Sequence, residues 1–338
     1  MHYTKNQPVQ YTKISTDKYF DLSRFPKGEI SKFWLHIINN GLGEPIRVPI
    51  LVARGKKDGP ILGLNAALHG NELNGINVIQ RLFDRLNNSE DIHGTVIGIL
   101  VANVPGVLLG QRRFNDDFDL NRQAPGSENG IASSLYINRL IERVIKNFDY
   151  FLDLHTTGYG KQNCWHIRAD LKDKETKNLA LLQNPEAVLH STPDEQTLRG
   201  YASSLGIKSL TLELKDPSIF QPDVVNDAIV GIWNVMHYLK MVPTPISCTL
   251  EDTWLVERSS WLRSNAGGIL TVFPEILTHV EEGEKIAEVR NIFGELNREF
   301  FAPNAGLVLA KNVNPIAQSG SAILNLAHQI EKIDCSIT

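Results

Sequence analysis

The sequence is poor in cysteine: only Cys164, Cys248 and Cys335 are present, and no two of them form a CxxC pair. That excludes a thiolate zinc cluster and offers no disulfide framework, so reduced thiols in a cytoplasm are expected. No stretch reaches 18 consecutive apolar residues, and the opening MHYTKNQPVQYTKISTDKYF lacks the apolar segment of a secretory signal. Neither a membrane span nor a signal peptide is expected, and the chain reads as a cytoplasmic protein with no membrane partner. Runs of five like charges are also missing, and 34 Lys and Arg against 38 Asp and Glu leave a formal net charge of -4. Nothing in that balance recruits nucleic acid.

What is there is an alternation. IRVPILVARG, GPILGLNAAL, GTVIGILVAN, FDYFLDLHTT and IKSLTLELK are short runs rich in Val, Ile and Leu, bounded by Gly, Pro or Asp, and read as buried strands. Between them, NGINVIQRLFDRLNN places Ile76, Ile79, Phe83 and Leu86 on one helical face, and ASSLYINRLIERVIKNF does the same with Leu135, Leu140, Ile141, Val144 and Ile145. Alternation of this kind predicts an α/β fold, a mixed and largely parallel sheet flanked by helices, in which ligands collect beyond the carboxyl ends of the strands.

At 338 residues a second, smaller domain is expected. The composition changes at MVPTPISCTLEDTW, after the helical AIVGIWNVMHYLK. The expected division is residues 1–245, with an N-terminal extension to about residue 46, and residues 246–338. Within the second part, AGGILTVFPEILTHVEEGEKIAEV and NAGLVLAKNVNPIAQSGSAILNLA share a glycine, an apolar pair, and another glycine further on. Two such halves predict a small quasi-symmetric β barrel.

The chemistry collects at strand ends. In ALHGNELNG, His69 and Glu72 follow a predicted strand and precede a predicted helix, with Gly70 permitting a tight backbone between them. His155 in YFLDLHTTG ends another predicted strand on the same edge of the sheet. Each of these residues alone reads as a polar residue satisfied by backbone hydrogen bonds. Together they provide the three protein ligands of a catalytic zinc, which leaves one position open. His166, in CWHIRAD, is a candidate pocket residue without a metal role, and Asp153 shares the face of His155 and is a candidate to orient it.

HGNE, RRFNDDFDLNR, DLHTT and TLELK, in that order, resemble the succinylglutamate desuccinylase and aspartoacylase family, relatives of the zinc carboxypeptidases. The resemblance covers roughly residues 47 to 240. It implies one Zn2+ per chain held by His69, Glu72 and His155, with a water in the fourth position, and a small N-acyl amino acid as substrate. Glu213, a carboxylate in the otherwise apolar LTLEL, becomes the expected general base; a structural alternative is a pair with Lys208 or Lys215. By the same resemblance Asn121 and Arg122 hold a substrate carboxylate. Arg113 is preferred to Arg112 as the oxyanion partner, because the aromatic Phe114 follows it. Lys215 stands where relatives often have glycine.

The C-terminal halves resemble the lipoyl and biotinyl carrier fold. A swinging-arm carrier needs a lysine on the connecting hairpin, and EVRNIFGELNREFFAPNAG has none, so that function is not expected. A peptide-cutting carboxypeptidase and a non-catalytic metal- or ligand-binding relative are the alternatives to a deacylase. Tyr159 and Trp165 are open to either a pocket or a core role, and association into a homo-oligomer is left open.

Overall fold

A computed structural model describes residues 12–13, 19–87, 89 and 91–335. In chain order the elements of the first part are β1 (Thr12–Lys13), β2 (Glu29–Asn39), β3 (Pro45–Arg54), β4 (Lys57–Ala66), α1 (Asn74–Asn87), β5 (His93–Ile99), α2 (Val104–Leu109), α3 (Ala132–Arg143), β6 (Tyr150–His155), β7 (Lys161–Asn163), β8 (Trp165–Ala169), α4 (Lys174–Leu182), β9 (Ala187–His190), α5 (Leu198–Ser204), β10 (Lys208–Leu214) and α6 (Pro222–Tyr238). Strands alone follow: β11 (Asp252–Arg263), β12 (Gly268–Val272), β13 (His279–Val280), β14 (Lys285–Arg290), β15 (Leu296–Phe301), β16 (Gly306–Asn312), β17 (Ile316–Ala317) and β18 (Ala322–Asp334). Among the described residues no helix is long and apolar enough to cross a membrane.

A mixed 14-stranded sheet runs through the molecule in the order β1-β2-β3-β5-β4-β6-β10-β8-β9-β11-β18-β16-β13, with β7 paired to β16. Its centre, β5-β4-β6-β10, is parallel. The two faces of that centre differ. On one, Leu62, Leu64, Leu152, Leu154, Leu210, Leu212 and Leu214 pack with the apolar stripes of α1 and α6, including Ile79, Phe83, Ile232 and Trp233. Each such side chain contributes roughly 1.5–3 kcal/mol on burial. The other face is apolar where the strands begin, with Phe151 against Phe148 and α3, and turns polar toward their carboxyl ends at Asn65, Asp153, His155 and Thr211. Period-two alternation thus carries the polar residues to one edge of the sheet.

Two expectations need correction here. The segment before residue 46 was expected to be an extension, but β2 pairs antiparallel with β3 from Glu29↔Arg54 to Asn39↔Pro45. In EISKFWLHIIN the alternate apolar residues Phe33, Leu35 and Ile37 are buried, and β2 is a full member of the sheet. The thiols are not all reduced either: Cys248 and Cys335 form a disulfide across 87 residues, with Cα atoms 6.4 Å apart, and only Cys164 is free. This staple ties the end of β18 to the segment after α6 and removes the ground on which a reducing compartment was inferred.

The C-terminal strands are not a detached unit. Trp254, Leu255 and Val256 of β11 pair in parallel with Ala187, Val188 and Leu189 of β9, so the main sheet continues into them. A second sheet, β15-β14-β12-β17, packs against this extension around Leu270, Ile286, Val289, Val308 and Leu324. The internal similarity has a structural counterpart: β12 pairs with β17 while β16 pairs with β13, so each half lends its short strand to the other. Gly268 and Gly306 open the two halves at equivalent crossings, where an added Cβ would lie 2.2 Å from Arg290 O and 2.4 Å from Ala327 O.

Candidate active site

His69 and Glu72 lie just beyond the end of β4, in the turn that leads into α1. A Cβ on Gly70 would come within 2.0 Å of the Gly106 backbone in α2, so only glycine lets the turn pass there. The turn closes with Glu72 N–H donating to His69 O at 3.1 Å. His155 arrives from the neighbouring strand end, and the three side chains meet. His69 Nδ1 lies 2.7 Å from Glu72 Oε1, and His155 Nδ1 lies 2.9 Å from Glu72 Oε2 and 3.2 Å from His69 Nδ1. All three are buried.

Each imidazole turns its other nitrogen to a carboxylate: His69 Nε2 is 3.1 Å from Asp119 Oδ1, and His155 Nε2 is 2.9 Å from Asp153 Oδ2. Asp153 is itself held by Asn65, whose Nδ2 donates at 2.8 Å. When each ring carries its proton on the outer nitrogen, the two Nδ1 atoms are free to offer lone pairs beside the Glu72 carboxylate. Such a set of three converging donors fits a divalent cation. The donor separations compare with about 3.3 Å between ligands of a tetrahedral ion held at about 2.05 Å. Burial opposes ionisation of Glu72, yet His69 and His155 overcome it and hold its carboxyl well below the usual range. Asp119 is likewise held low, burial being outweighed by His69 and Arg112.

Glu213 stands in register with His155 on β6 and with His166 on β8, so the three share one face of the sheet. Its side chain is 15% exposed. Burial pushes its carboxyl above the ordinary carboxylate range, against the pull of Arg168 and His155. Neither lysine offered as a structural partner reaches it: Lys208 pairs with Asp173 at 2.7 Å and Lys215 with Glu186 at 3.7 Å. Lys215 adopts φ 57°, the left-handed conformation that glycine takes easily, and its carbonyl accepts from Thr157 N–H at 2.9 Å. The loop after Glu213 therefore keeps a left-handed turn despite the lysine.

The expectation for Arg113 is corrected. Phe114 packs into the core against Tyr136, ring centroids 4.7 Å apart, and the two arginines before it make different contacts. Arg113 faces outward and binds Asp117 O and Oδ2. Arg112 faces inward: its Nη1 donates to Glu72 Oε1 at 2.9 Å, and its Nε and Nη2 donate to Asp119 Oδ2 at 3.2 and 3.0 Å.

Arg112, Asn121, Arg122 and Glu213 line one cleft of ≈ 360 Å³ together with the His–Glu–His group. Asn121 Oδ1 accepts from Leu198 N–H at 2.9 Å, tying the loop to the start of α5. Lys161, Arg168 and Arg199, none singled out by the sequence reading, add positive charge to the same cleft. Of the two aromatics left open, Trp165 is buried in the core and Tyr159 is 81% exposed; the aromatic at the cleft is Trp261 from β11. His166 lines the cleft with its Nδ1 3.2 Å from Cys164 O, and burial beside Arg168 lowers its pKa to about 3, so the ring is neutral.

Fold and site define an α/β protein with a buried candidate metal centre at the carboxyl ends of its central strands, open to a cation-lined cleft. Residues 58–239 match the succinylglutamate desuccinylase/aspartoacylase catalytic domain, and the chain belongs to that family. It is similar to the N-alpha-acetyl-L-2,4-diaminobutyric acid deacetylase of Halomonas elongata, 23% identical over 301 residues that cover 85% of this chain and 87% of the relative. Among solved structures it resembles a succinylglutamate desuccinylase/aspartoacylase from Rhodobacter sphaeroides, with a TM-score of 0.81, 19% identity, and 91% and 98% of the two chains covered. The product-bound ectoine utilization protein EutE (DoeB) from Ruegeria pomeroyi superposes with a TM-score of 0.79 at 19% identity, over 90% of this chain and 96% of that one. At these identities the structural likeness concerns the fold.

Proposed function

We propose that the protein is a zinc-dependent hydrolase that cleaves the amide bond of an N-acyl amino acid or a related small carboxylate. The observation that carries this reading is the convergence of His69, Glu72 and His155 at the floor of a cleft that also holds Glu213 and several arginines. The family's members are named for deacylation, which agrees with it.

His69, Glu72 and His155 would hold the ion, with Asp119 and Asp153 fixing the two imidazoles. Zinc so held supplies a Lewis acid and an acidified water. Glu213 accepts the proton of the attacking water as the new C–O bond forms, and passes it to the amine nitrogen as the C–N bond breaks. Arg112, in the place expected of Arg113, donates to the oxygen that gains charge at the carbonyl, while Arg122 and Asn121 face the substrate carboxylate. Arg112→Ala is expected to lower kcat roughly 100-fold, the usual effect of losing one such donor, and Arg113→Ala to leave it near wild type. Steady-state kinetics with the reverse order would return the role to Arg113.

The domain boundary near residue 245 belongs to the same reading: α6 ends at Tyr238, and every described strand or helix after it is a strand. We read the two interleaved halves of the C-terminal part as a barrel of the lipoyl type without its lysine. Leu309, Ala310 and Asn325 from this part join Trp261 at the cleft. That wall favours small substrates over the extended chain a carboxypeptidase must admit.

The test is turnover by the zinc-loaded chain. Incubation with N-acetyl and N-succinyl amino acids should release free amine, detected with an amine-reactive dye. Full zinc occupancy without turnover of any of them would leave a non-catalytic binding relative.

A further inference from the structure

The antiparallel ribbon of β11 and β18 is held unevenly along its length. From Leu324 to Ala327, β18 has a strand on each edge, β11 on one side and β16 on the other. Beyond Ala327, among the described residues, β11 is its only strand partner, down to the last pair, Asp252↔Asp334. Gln329 marks the change with a left-handed φ of 57°, a conformation unfavourable for a residue other than glycine. Ile330 and Ile333 are only partly buried. At the very end two aspartates stand directly opposite each other, and like charges in that position weaken a strand pair. Lys332 reaches Asp252 at 2.5 Å, but an ion pair this exposed adds little.

The disulfide sits immediately past this weak end. Cys335 N–H donates to Glu251 O at 2.8 Å, and its sulfur is bonded to Cys248. The two ends of that bond are anchored differently. Cys248 lies between residues that two buried asparagines tie down: Asn234 Oδ1 accepts from Ser247 N–H at 3.0 Å, and Asn184 Oδ1 accepts from Thr249 N–H at 2.6 Å and Leu250 N–H at 2.7 Å. Cys335 has behind it only the singly paired strand. Cys248 is also exposed, so a thiol in solution reaches its sulfur.

We propose that the disulfide between Cys248 and Cys335 is a redox-sensitive clasp: its reduction by a dithiol releases residues 330–334 from β11 and leaves the cleft assembled. One thiolate of the dithiol attacks the Cys248 sulfur, the S–S bond breaks, and its electron pair leaves on Cys335. The second thiolate of the reductant then displaces Cys248. The cystine becomes two thiols, which take up the reductant's two protons, and the reductant becomes a disulfide. The cleft stays intact because its C-terminal residues lie in the firmly held part: Trp261 of β11 stands opposite Asn325 of β18, with β16 beyond. In a reducing environment the chain therefore offers a frayed strand at which proteolysis starts. None of this depends on the deacylase reading.

The test is hydrogen exchange, read by mass spectrometry, on the full oxidised chain, the same chain treated with dithiothreitol, and Cys335→Ser without reductant. Exchange at residues 330–334 should quicken roughly 10-fold or more in the latter two, and reoxidation of the wild type should restore protection. Exchange at residues 324–327 and around Trp261 should stay as it was. Trypsin gives a second reading: cleavage after Lys332, scored on samples all reduced after quenching, should follow the same order. Unchanged exchange at residues 330–334 after reduction would overturn the proposal, because the strand pairing would then hold by itself. A rise that extends through residues 324–327 would overturn it too, and make the bond a staple of the whole C-terminal part. Alkylation of Cys248 and Cys335 in the air-oxidised, denatured chain would show that the clasp never closes, and would reject it as well.

Discussion

The chain with His69→Ala should bind no zinc that survives dialysis, where the wild type keeps about one ion per chain. Three protein ligands are the minimum for a catalytic zinc, and losing one leaves two donors facing a cleft. The effect on the fold should be small, because His69 lies in the turn beyond β4 and not in either apolar layer of the central sheet. Thermal unfolding separates the two consequences. Zinc at about 100 times its Kd should stabilise the wild type by about 2.7 kcal/mol and raise its Tm, while the variant's Tm should not respond. Stoichiometric zinc in His69→Ala, or a zinc-dependent rise in its Tm, would place the ion elsewhere. Asp119→Asn is the graded companion: it weakens the hold on His69 Nε2 and Arg112 at once, and should loosen zinc without abolishing its binding.

The parts of this site that were legible in the sequence share a physical cause. His69, Glu72, His155 and Glu213 each sit at or near the end of a strand whose apolar run is unmistakable, and parallel strands bring such ends to one edge. Glu213 was legible for a further reason, since a carboxylate between buried leucines has to be explained. Arg112 was weighed but passed over for Arg113 because both lie in a loop, where no periodicity says which of two adjacent arginines turns inward. The burial of Phe114 and the outward Asp117 decide it, and both are facts of packing.

Arg168 and Arg199 were missed for a different reason. β8, β9 and α5 are short, and β8 runs antiparallel to β10 and parallel to β9, so only the register Glu213↔His166 and Thr211↔Arg168 reveals which residues face the cleft. β2 was passed over because Lys32, Trp34 and His36, on its more exposed face, dilute the apolar signal of the alternate residues. The disulfide joins cysteines 87 residues apart, and no spacing rule reaches across such a distance.

Glu213→Gln is the substitution that separates chemistry from structure. The amide has the shape of the carboxyl but cannot take a proton from water at neutral pH, so the first bond-forming step loses its acceptor. A loss of roughly 100- to 10,000-fold in kcat is expected, with KM changed far less, because proton transfer belongs to the transition state and not to substrate binding. Zinc content should stay at the wild-type level, since Glu213 is not among the three converging donors. Stability should hold or rise slightly: the carboxylate is largely buried, its ionisation is opposed by burial, and its nearest cation, Arg168, stands at 3.4 Å without a formed hydrogen bond. Three outcomes therefore have different meanings. Lost turnover with retained zinc and Tm assigns Glu213 to proton transfer. Lost turnover with lost zinc makes it a support of the metal group. Near wild-type kcat removes it from the mechanism, and the base must then be sought elsewhere in the cleft.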